Sequence, residues 1–562
     1  MNTAAGEAQG LRCDFLVVGG GTAGCVLAAR LSESGEHQVI LVEAGEDTPP
    51  DRTPADIRDT FPASTLNRAY LWPGLLATAG PGMPARPYPQ ARVMGGGSSV
   101  MGMIALRGVP ADYERWRSLG AERLGWQDAV RYFEKVEALG GGGPQENGRA
   151  VAITPQSRWA PFVHGLAKAA RRHGLPRVSA INEAPHDGFF AMPVSTAGPV
   201  RASAAHCYLT AQVRARDNLR ILSRTQVLRV NLEGRTALGV QARGEAGDYP
   251  ITARKVVLCA GGIHSPSLLM RSGIGPGAQL QRLGIAPALD LAGVGSNLQN
   301  HAYSFFALTL PPGRRLEAAQ RLFAVAGLRA SSGLPECPGD LLAFVLGRSS
   351  TAAFGTSVAM VASSLYCPYS RGRVTLAGPE HDRPPTIEFN FLSDPRDRPR
   401  ALQASRLAEA LVRAEEVAAE YGEAYLLPAG LAVNQFHRQG IAGALLGKAA
   451  QIALDAPAPL RRFLVQCALP GAKRLMSRGR AVDLSDEDLL NALAPMGHPA
   501  GSCAMGRPGD PMAVVDSGHR VLGVGNLFIV DASVMPHIPS TNTNLPTMML
   551  AEHGAERLLE RR

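Results

Sequence analysis

Gly19, Gly21 and Gly24, followed about 20 residues later by Glu43, form a pattern whose chemistry is the holding of a dinucleotide. Gly19 lets the chain turn, Gly21 lets backbone approach a pyrophosphate, and Gly24 lets a helix pack close to a sheet. The phosphates are expected on the N–H groups at the helix start, beside Thr22 and Ala23, where the helix dipole favours negative charge. Glu43 is placed to accept hydrogen bonds from an adenosine ribose. An acid there disfavours a 2′-phosphate, so FAD or NAD is expected rather than NADP. A second chemistry belongs to the histidines. His498 lies in G-H-P-A-G-S-C-A-M-G, residues 497–506, a Gly/Pro-rich loop rather than a helix face, so its ring is free to point into a cavity. A neutral imidazole accepts protons near neutral pH, and burial would hold its pKa down. His301, His519, His537 and His553 compete with it; His553 falls inside an apparent helix, and His264 reads as structural.

The elements that must position these groups follow from the apolar pattern. Residues 15–18 and 39–42 read as strands and residues 25–31 as the helix between them. Residues 45–89, rich in Pro, Asp and Arg, form a loop long enough that it should cover something. Gly95, Gly96 and Gly97 with Ser98 and Ser99 make a second backbone-rich turn, able to offer N–H groups and hydroxyls to phosphate or to let a flat ring lie against backbone. Residues 112–137 and 157–173 read as helices, the first packed through Trp116, Trp126, Tyr132 and Phe133, with a Gly-rich linker at 140–148 between them. Residues 219–230, 237–242 and 255–260 read as strands; the last runs into the Gly261 turn, which could face the same cofactor as the first. From residue 301 to 480, short apolar segments at 341–345, 357–366 and 372–376 mix with a helix at 402–421 and indicate a second, strand-containing domain. The chain then returns to Gly-rich units, a strand at 527–530 and a helix at 547–559, as if one cofactor domain were assembled from both ends.

Composition sets the outer limits. A chain of 562 residues exceeds what one core usually serves. Net charge is +9, from 57 basic and 48 acidic residues, modest at this length, and no basic run interleaved with aromatics suggests a nucleic-acid face. Arg557, Arg561 and Arg562 read as a solvated helix end. The 8 cysteines are scattered without C-x-x-C spacing, so buried free thiols are expected, and no metal-ligand spacing occurs. The first residues lack an apolar signal core, and no transmembrane stretch follows; a cytoplasmic protein is expected.

The ordered set of motifs resembles the glucose-methanol-choline (GMC) family of FAD-dependent oxidoreductases, end to end. Its parts are the fingerprint with Glu43, the loop at 95–103, A-G-G-I-H-S-P-S-L-L-M-R-S-G-I-G from Ala260, G-V-G-S-N-L-Q-N-H at 293–301, the unit at 497–506, and D-A-S-V-M-P with N-T-N-L-P-T near the end. The resemblance implies an α/β fold: a discontinuous FAD domain with a Rossmann-like βαβ unit, and a substrate domain of antiparallel sheet flanked by helices. The expected division is 10–155, 201–300 and 481–562 for the FAD domain, with 156–200 and 301–480 on the substrate side. The family's catalytic His falls on His498 and its partner position, His or Asn in different members, on Asn542. Asn542 would orient an alcohol, His498 would remove its O–H proton, and hydride would pass to flavin N5. Cofactor contacts are expected from Gly19, Gly21, Thr22, Ala23, Gly24, Glu43, Ala44, Gly95, Gly96, Ser98, Ser99, Met101, Met103, Val227, Gly261, Asp531, Ala532 and Asn544.

The chain departs from the family pattern at several places. Met101 stands where the loop usually has Asn, Gly262 where a second Ala is usual, and Asn300 where N-L-Q-D-H has Asp. Members that tether flavin use a His where this chain has Val100, so noncovalent FAD is expected. Details such as G-L-R-A-S-S-G at 327–333 are most similar to bacterial oxidases of aryl or furanyl primary alcohols, with dioxygen as acceptor. The alternatives are a dehydrogenase of aliphatic or polyol alcohols using a quinone or other acceptor, a hydroxynitrile lyase that keeps FAD without net redox, and a noncatalytic flavin module. A monomer or homodimer is expected.

Overall fold

The structure is a computed structural model that describes residues 10–139, 151–156, 158–315, 323–430, 440–477 and 480–560. The linker expected at 140–148 and the terminal Arg561 and Arg562 lie outside the described residues. The fold is α/β, organised around two large sheets.

The first sheet has seven strands and is drawn from three distant parts of the chain. Arg12–Val18 runs parallel to Val39–Val42 on one side and to Gly247–Leu258 on the other, and Leu219–Leu222 extends the parallel edge beyond Val39–Val42. The 12-residue strand Gly247–Leu258 serves two neighbours in turn. Its start pairs antiparallel with Thr236–Gly244, which carries Gln226–Glu233 beyond it; its end pairs parallel with Leu527–Ile529. Apolar runs such as Leu16, Val17, Val256 and Val257 are fully buried, as a parallel sheet covered on both faces requires. The helices Thr22–Leu31 and Asn544–Leu559 lie together on one face, tied by Arg30 Nε donating to Glu552 Oε2 at 2.9 Å.

The second sheet has nine strands. Its centre is antiparallel: Ala302–Thr309, Val358–Leu365, Leu341–Leu346 and Ala324–Ala330 pair in succession, and Gly188–Ala191 follows. Only the outermost described pair on that side, Arg177–Val178 with Gly188–Ala191, runs parallel. One face packs on the helix Asp397–Arg413 through Phe306, Val361 and Leu411; the other carries Phe344, Met360 and Tyr366, which cluster with Met103, Ile104 and Met496. The loop at 45–89 reaches across to this half, where Leu76–Thr78 pairs with Thr386–Glu388.

Several boundaries differ from the sequence reading, each for a local reason. The expected helix 112–137 is two, Pro110–Ser118 and Trp126–Val136, broken where Gly120 takes φ 112°. The expected strand 219–230 is interrupted between Leu219–Leu222 and Gln226–Glu233, where Arg224 sits at φ 49°. The first helix starts at Thr22, inside the glycine motif, and the helix expected at 402–421 runs Asp397–Arg413. The expectation that all cysteines are free thiols is corrected: Cys337 and Cys367 form a disulfide, with Cα atoms 6.2 Å apart. Leu341 and Leu365 are register partners on neighbouring strands, so the residues just before one strand and just after the other meet at the same sheet end. The other six cysteines are free, and among them Cys467 is exposed. Among the described residues no cluster of His, Cys, Asp or Glu could hold a metal ion, and no helix is long and apolar enough to cross a membrane.

Candidate active site

A crevice opens at the carboxyl ends of Arg12–Val18, Val39–Val42 and Gly247–Leu258, where open α/β sheets bind ligands. Its walls come from the glycine units that the chain carries far apart in sequence. Gly19, Gly21, Thr22, Ala23, Glu43, Ala44, Gly96, Met101, Met103, Val227, Gly261, His498, Asp531, Ala532, Asn542 and Asn544 all line it.

Close backbone approach explains the glycines. A Cβ on Gly24 would lie 1.9 Å from the Gly19 carbonyl oxygen, and one on Gly96 2.8 Å from Gly21 Cα. The loop at 95–97 and the first glycine turn therefore touch backbone to backbone. No side chain caps the helix Thr22–Leu31, so its first N–H groups are left for an anion. Gly24, Gly95, Ser98 and Ser99 stand behind the wall. The Ser98 and Ser99 hydroxyls, expected to be available to phosphate, instead donate to the carbonyls of Gly95 at 2.6 Å and Met94 at 2.8 Å, and so brace the turn.

Two acids organise the wall. Glu43 accepts from Gly20 N at 2.7 Å and Gly45 N at 2.8 Å; burial pushes its pKa up against the pull of these donors and of Arg92. Asp531 accepts from Gly261 N at 2.8 Å, Ser265 Oγ at 2.5 Å and Ser533 N at 2.7 Å, which joins the 260–275 segment to the C-terminal unit. Asn544, considered from sequence as a helix cap or a flavin contact, accepts from Thr22 Oγ1 at 3.1 Å and ties the last helix to the first.

At one end of the crevice His498 meets Asn542, with Nε2 and Nδ2 3.1 Å apart. His498 is set deep, its accessible face turned to the crevice, and burial lowers its pKa to about 4, so the ring is neutral at physiological pH. Its Nδ1 lies 2.9 Å from Nδ1 of His301, which is fully buried and held well below the ordinary imidazole range by burial and by His498. The other candidate histidines lie elsewhere. His519 and His553 pair with each other at 2.9 Å in the core, and His537 contacts Arg115 and the Ile538 carbonyl.

Several residues of the site escaped the sequence reading. Asn300 accepts from His498 N at 3.3 Å and donates to the Met496 carbonyl at 2.6 Å, holding the backbone on both sides of Gly497. Tyr366 stacks on His301 with ring centroids 4.0 Å apart. Arg201, whose pKa burial lowers to about 10, clasps the 95–103 loop by donating to the carbonyls of Ser98 and Met101. Trp72 and His264 also line the crevice, with ring centroids 4.3 Å apart. Trp72 had a signal in the sequence, since it belongs to the long loop that was expected to cover something; Asn300 showed only as a departure from a motif, and His264 was read as structural.

The residues fit FAD: an uncapped helix start for the pyrophosphate, a carboxylate beside it, glycine-lined backbone where a flat ring can lie, and an imidazole–amide pair at the far end. Comparison with known proteins agrees. Family models described as GMC oxidoreductase match residues 13–303 and 368–551. The chain is 35% identical over 568 residues to a 5-(hydroxymethyl)furfural oxidase of Methylovorus sp. (strain MP688), covering 97% of this chain and 98% of that protein. It is 30% identical to an oxygen-dependent choline dehydrogenase of Vibrio vulnificus (strain YJ016), covering 98% and 94%. Among solved structures, pyridoxine 4-oxidase from Mesorbium loti superposes with a TM-score of 0.77 at 27% identity, covering 97% of this chain and 98% of the other.

Proposed function

Because the chain belongs to the GMC oxidoreductase family and is an FAD-dependent oxidoreductase acting on CH–OH groups, we propose that it oxidises an aryl or furanyl primary alcohol to the aldehyde, with dioxygen as acceptor. The observation that carries this reading is the His498–Asn542 pair in the crevice wall. One hydroxyl oxygen can serve both nitrogens, giving its hydrogen to His498 Nε2 in place of the Asn542 N–H and accepting from the Asn542 amide instead. As the proton moves to the imidazole, negative charge builds on the oxygen and weakens the C–H bond. Bound FAD supplies the hydride acceptor. Asn542 is uncharged and has no basic site, so the base is His498. Val100 is buried among Ile57, Tyr70 and Val93 where tethering relatives use His, which supports noncovalent FAD.

The aromatic preference is supported by the face of the nine-stranded sheet that carries Tyr366: it also bears Tyr303, Phe305, Phe344 and Met360, continuous with Met103 and Met496. Likeness to a 5-(hydroxymethyl)furfural oxidase and a pyridoxine 4-oxidase points the same way. A second reading, oxidation of an aliphatic alcohol, is favoured by the choline dehydrogenase relatives, which are themselves oxygen-dependent and so lend no support to a quinone-type acceptor.

The test is anaerobic bleaching of the yellow holoenzyme by a panel of alcohols, followed by acceptor assays in air and under argon. Aromatic hydroxymethyl compounds should bleach it fastest, and peroxide should form in air. His498→Ala should slow bleaching by about 10²-fold or more with FAD retained. Unchanged bleaching in that variant would place the base elsewhere.

A further inference from the structure

We propose that Tyr366 is a positioning residue for this oxidation: its phenol fixes the amide of Asn542 so that Nε2 of His498 stays free of hydrogen. The inference rests on His498 being the base, as argued above.

Tyr366 is fully buried just beyond the strand Val358–Leu365, its N–H donating to the Asp340 carbonyl at 2.7 Å. Its Oη lies 3.3 Å from Asn542 Oδ1 and 3.7 Å from Met496 Sδ. An amide can take two orientations, and the neighbours decide between them. With Oδ1 toward Tyr366, the phenol donates to an amide oxygen and Asn542 Nδ2 donates to His498 Nε2 at 3.1 Å. Nε2 is then an acceptor and His498 carries its hydrogen on Nδ1, which donates to His301 Nδ1 at 2.9 Å. With the amide turned over, the phenol hydrogen is left with the thioether of Met496, a weak acceptor. Asn542 Oδ1 would then face His498 Nε2 and require a hydrogen there. An imidazole protonated at Nε2 has no lone pair to take a hydroxyl proton. The phenol therefore selects the amide orientation, the amide selects the tautomer, and the tautomer decides whether the base works. Stacking on His301, with planes 22° apart, holds the phenol in place and binds the far end of the same relay.

The test uses FAD-loaded holoenzyme and 5-(hydroxymethyl)furfural in anaerobic stopped flow. Tyr366→Phe keeps the ring and loses the hydroxyl; it should lower the limiting bleaching rate about 10-fold, the scale of one hydrogen bond, while the apparent dissociation constant of the alcohol moves less than about 2-fold. In an Asn542→Ala background the same change should cost less than about 2-fold, because the amide through which it acts is gone. Equal costs in both backgrounds would overturn the proposal. A second measurement needs no Tyr366 variant: ¹⁵N spectra of histidine-labelled wild-type holoenzyme, with the His498 signals identified by their loss in His498→Gln. Hydrogen on Nδ1 is expected, and hydrogen on Nε2 would overturn the proposal even if Tyr366→Phe fails to hold FAD. A wild-type protein that no alcohol bleaches would refute the oxidation, whereas the spectra, repeated on Tyr366→Phe, would still decide the role of Tyr366: hydrogen that stays on Nδ1 without the phenol would overturn it.

Discussion

Asn300 shows how one departure from the family pattern acquires a physical meaning. An Asp at this position could not donate to the Met496 carbonyl as the amide does at 2.6 Å, and its charge would sit beside the His498 backbone and next to His301 in sequence. In the chain as it stands burial lowers the His498 pKa. The ring is neutral and competent above that value and loses its proton-accepting site below it. A nearby carboxylate favours imidazolium, so Asn300→Asp should move the acid limb of the bleaching rate upward by about 1 pH unit or more. A pH profile of anaerobic reduction measures this; an unmoved limb would show that the amide serves only to hold backbone. His498 and Asn542 were legible because each belongs to a motif. The second rank of the site was not. Asn300 was visible only as a departure, and Tyr366 ends an ordinary apolar strand, where nothing in its neighbours in sequence announces that it faces Asn542.

At the scale of elements, the two glycine turns act as one device. Gly96 has φ 54° and its missing Cβ faces Gly21 Cα at 2.8 Å, so Gly96→Ala must push apart two turns that line the crevice side by side. The variant should fold and lose FAD, with the dissociation constant raised at least about 10-fold by fluorescence titration. Gly234→Ala is the control: its φ is 55° with nothing within 4 Å, so it carries the same backbone strain without the collision and should hold FAD normally. If both variants lose FAD alike, strain rather than contact explains the effect. The fingerprint made the first strand, turn and helix readable, since the spacing of Gly19, Gly21, Gly24 and Glu43 encodes them. Breaks inside elements were less readable because a single residue in the left-handed region, such as Gly120 or Arg224, interrupts a pattern whose apolar period continues through it. The Cys337–Cys367 bond depended on which strands become neighbours, a property of topology rather than of spacing.

The whole molecule keeps several imidazoles neutral by burial. His264 is lowered to about 3, His498 and His519 to about 4, and His301, His537 and His553 are also held down. Below about pH 6.5 the unfolded chain takes up protons at these sites that the native chain refuses, so stability falls as pH falls, by up to about 1.4 kcal/mol per pH unit for each site. Buried Glu43, Asp112 and Asp531, whose pKa values burial raises, oppose this, because the native state accepts their protons first on acidification. Histidines outnumber these carboxyls, and the thermal midpoint should therefore drop between pH 7 and pH 5. A flat or rising midpoint would show that these rings gain partners or water on protonation. The two-part architecture was legible from the return of glycine-rich units late in the chain. The make-up of the substrate-side face was not, since its aromatics come from separate strands whose alternation is blurred by burial on both sides.

The strand Leu527–Ile529 joins a sheet begun by Arg12–Val18, and the helix Asn544–Leu559 packs on that sheet's first helix. During synthesis the nucleotide fingerprint therefore leaves the ribosome long before the opposite wall. Until residues 527–559 have been made, a nascent chain carries half a grip, and the vitamin-derived cofactor is clasped only once that later segment joins the pocket that the earlier one opened.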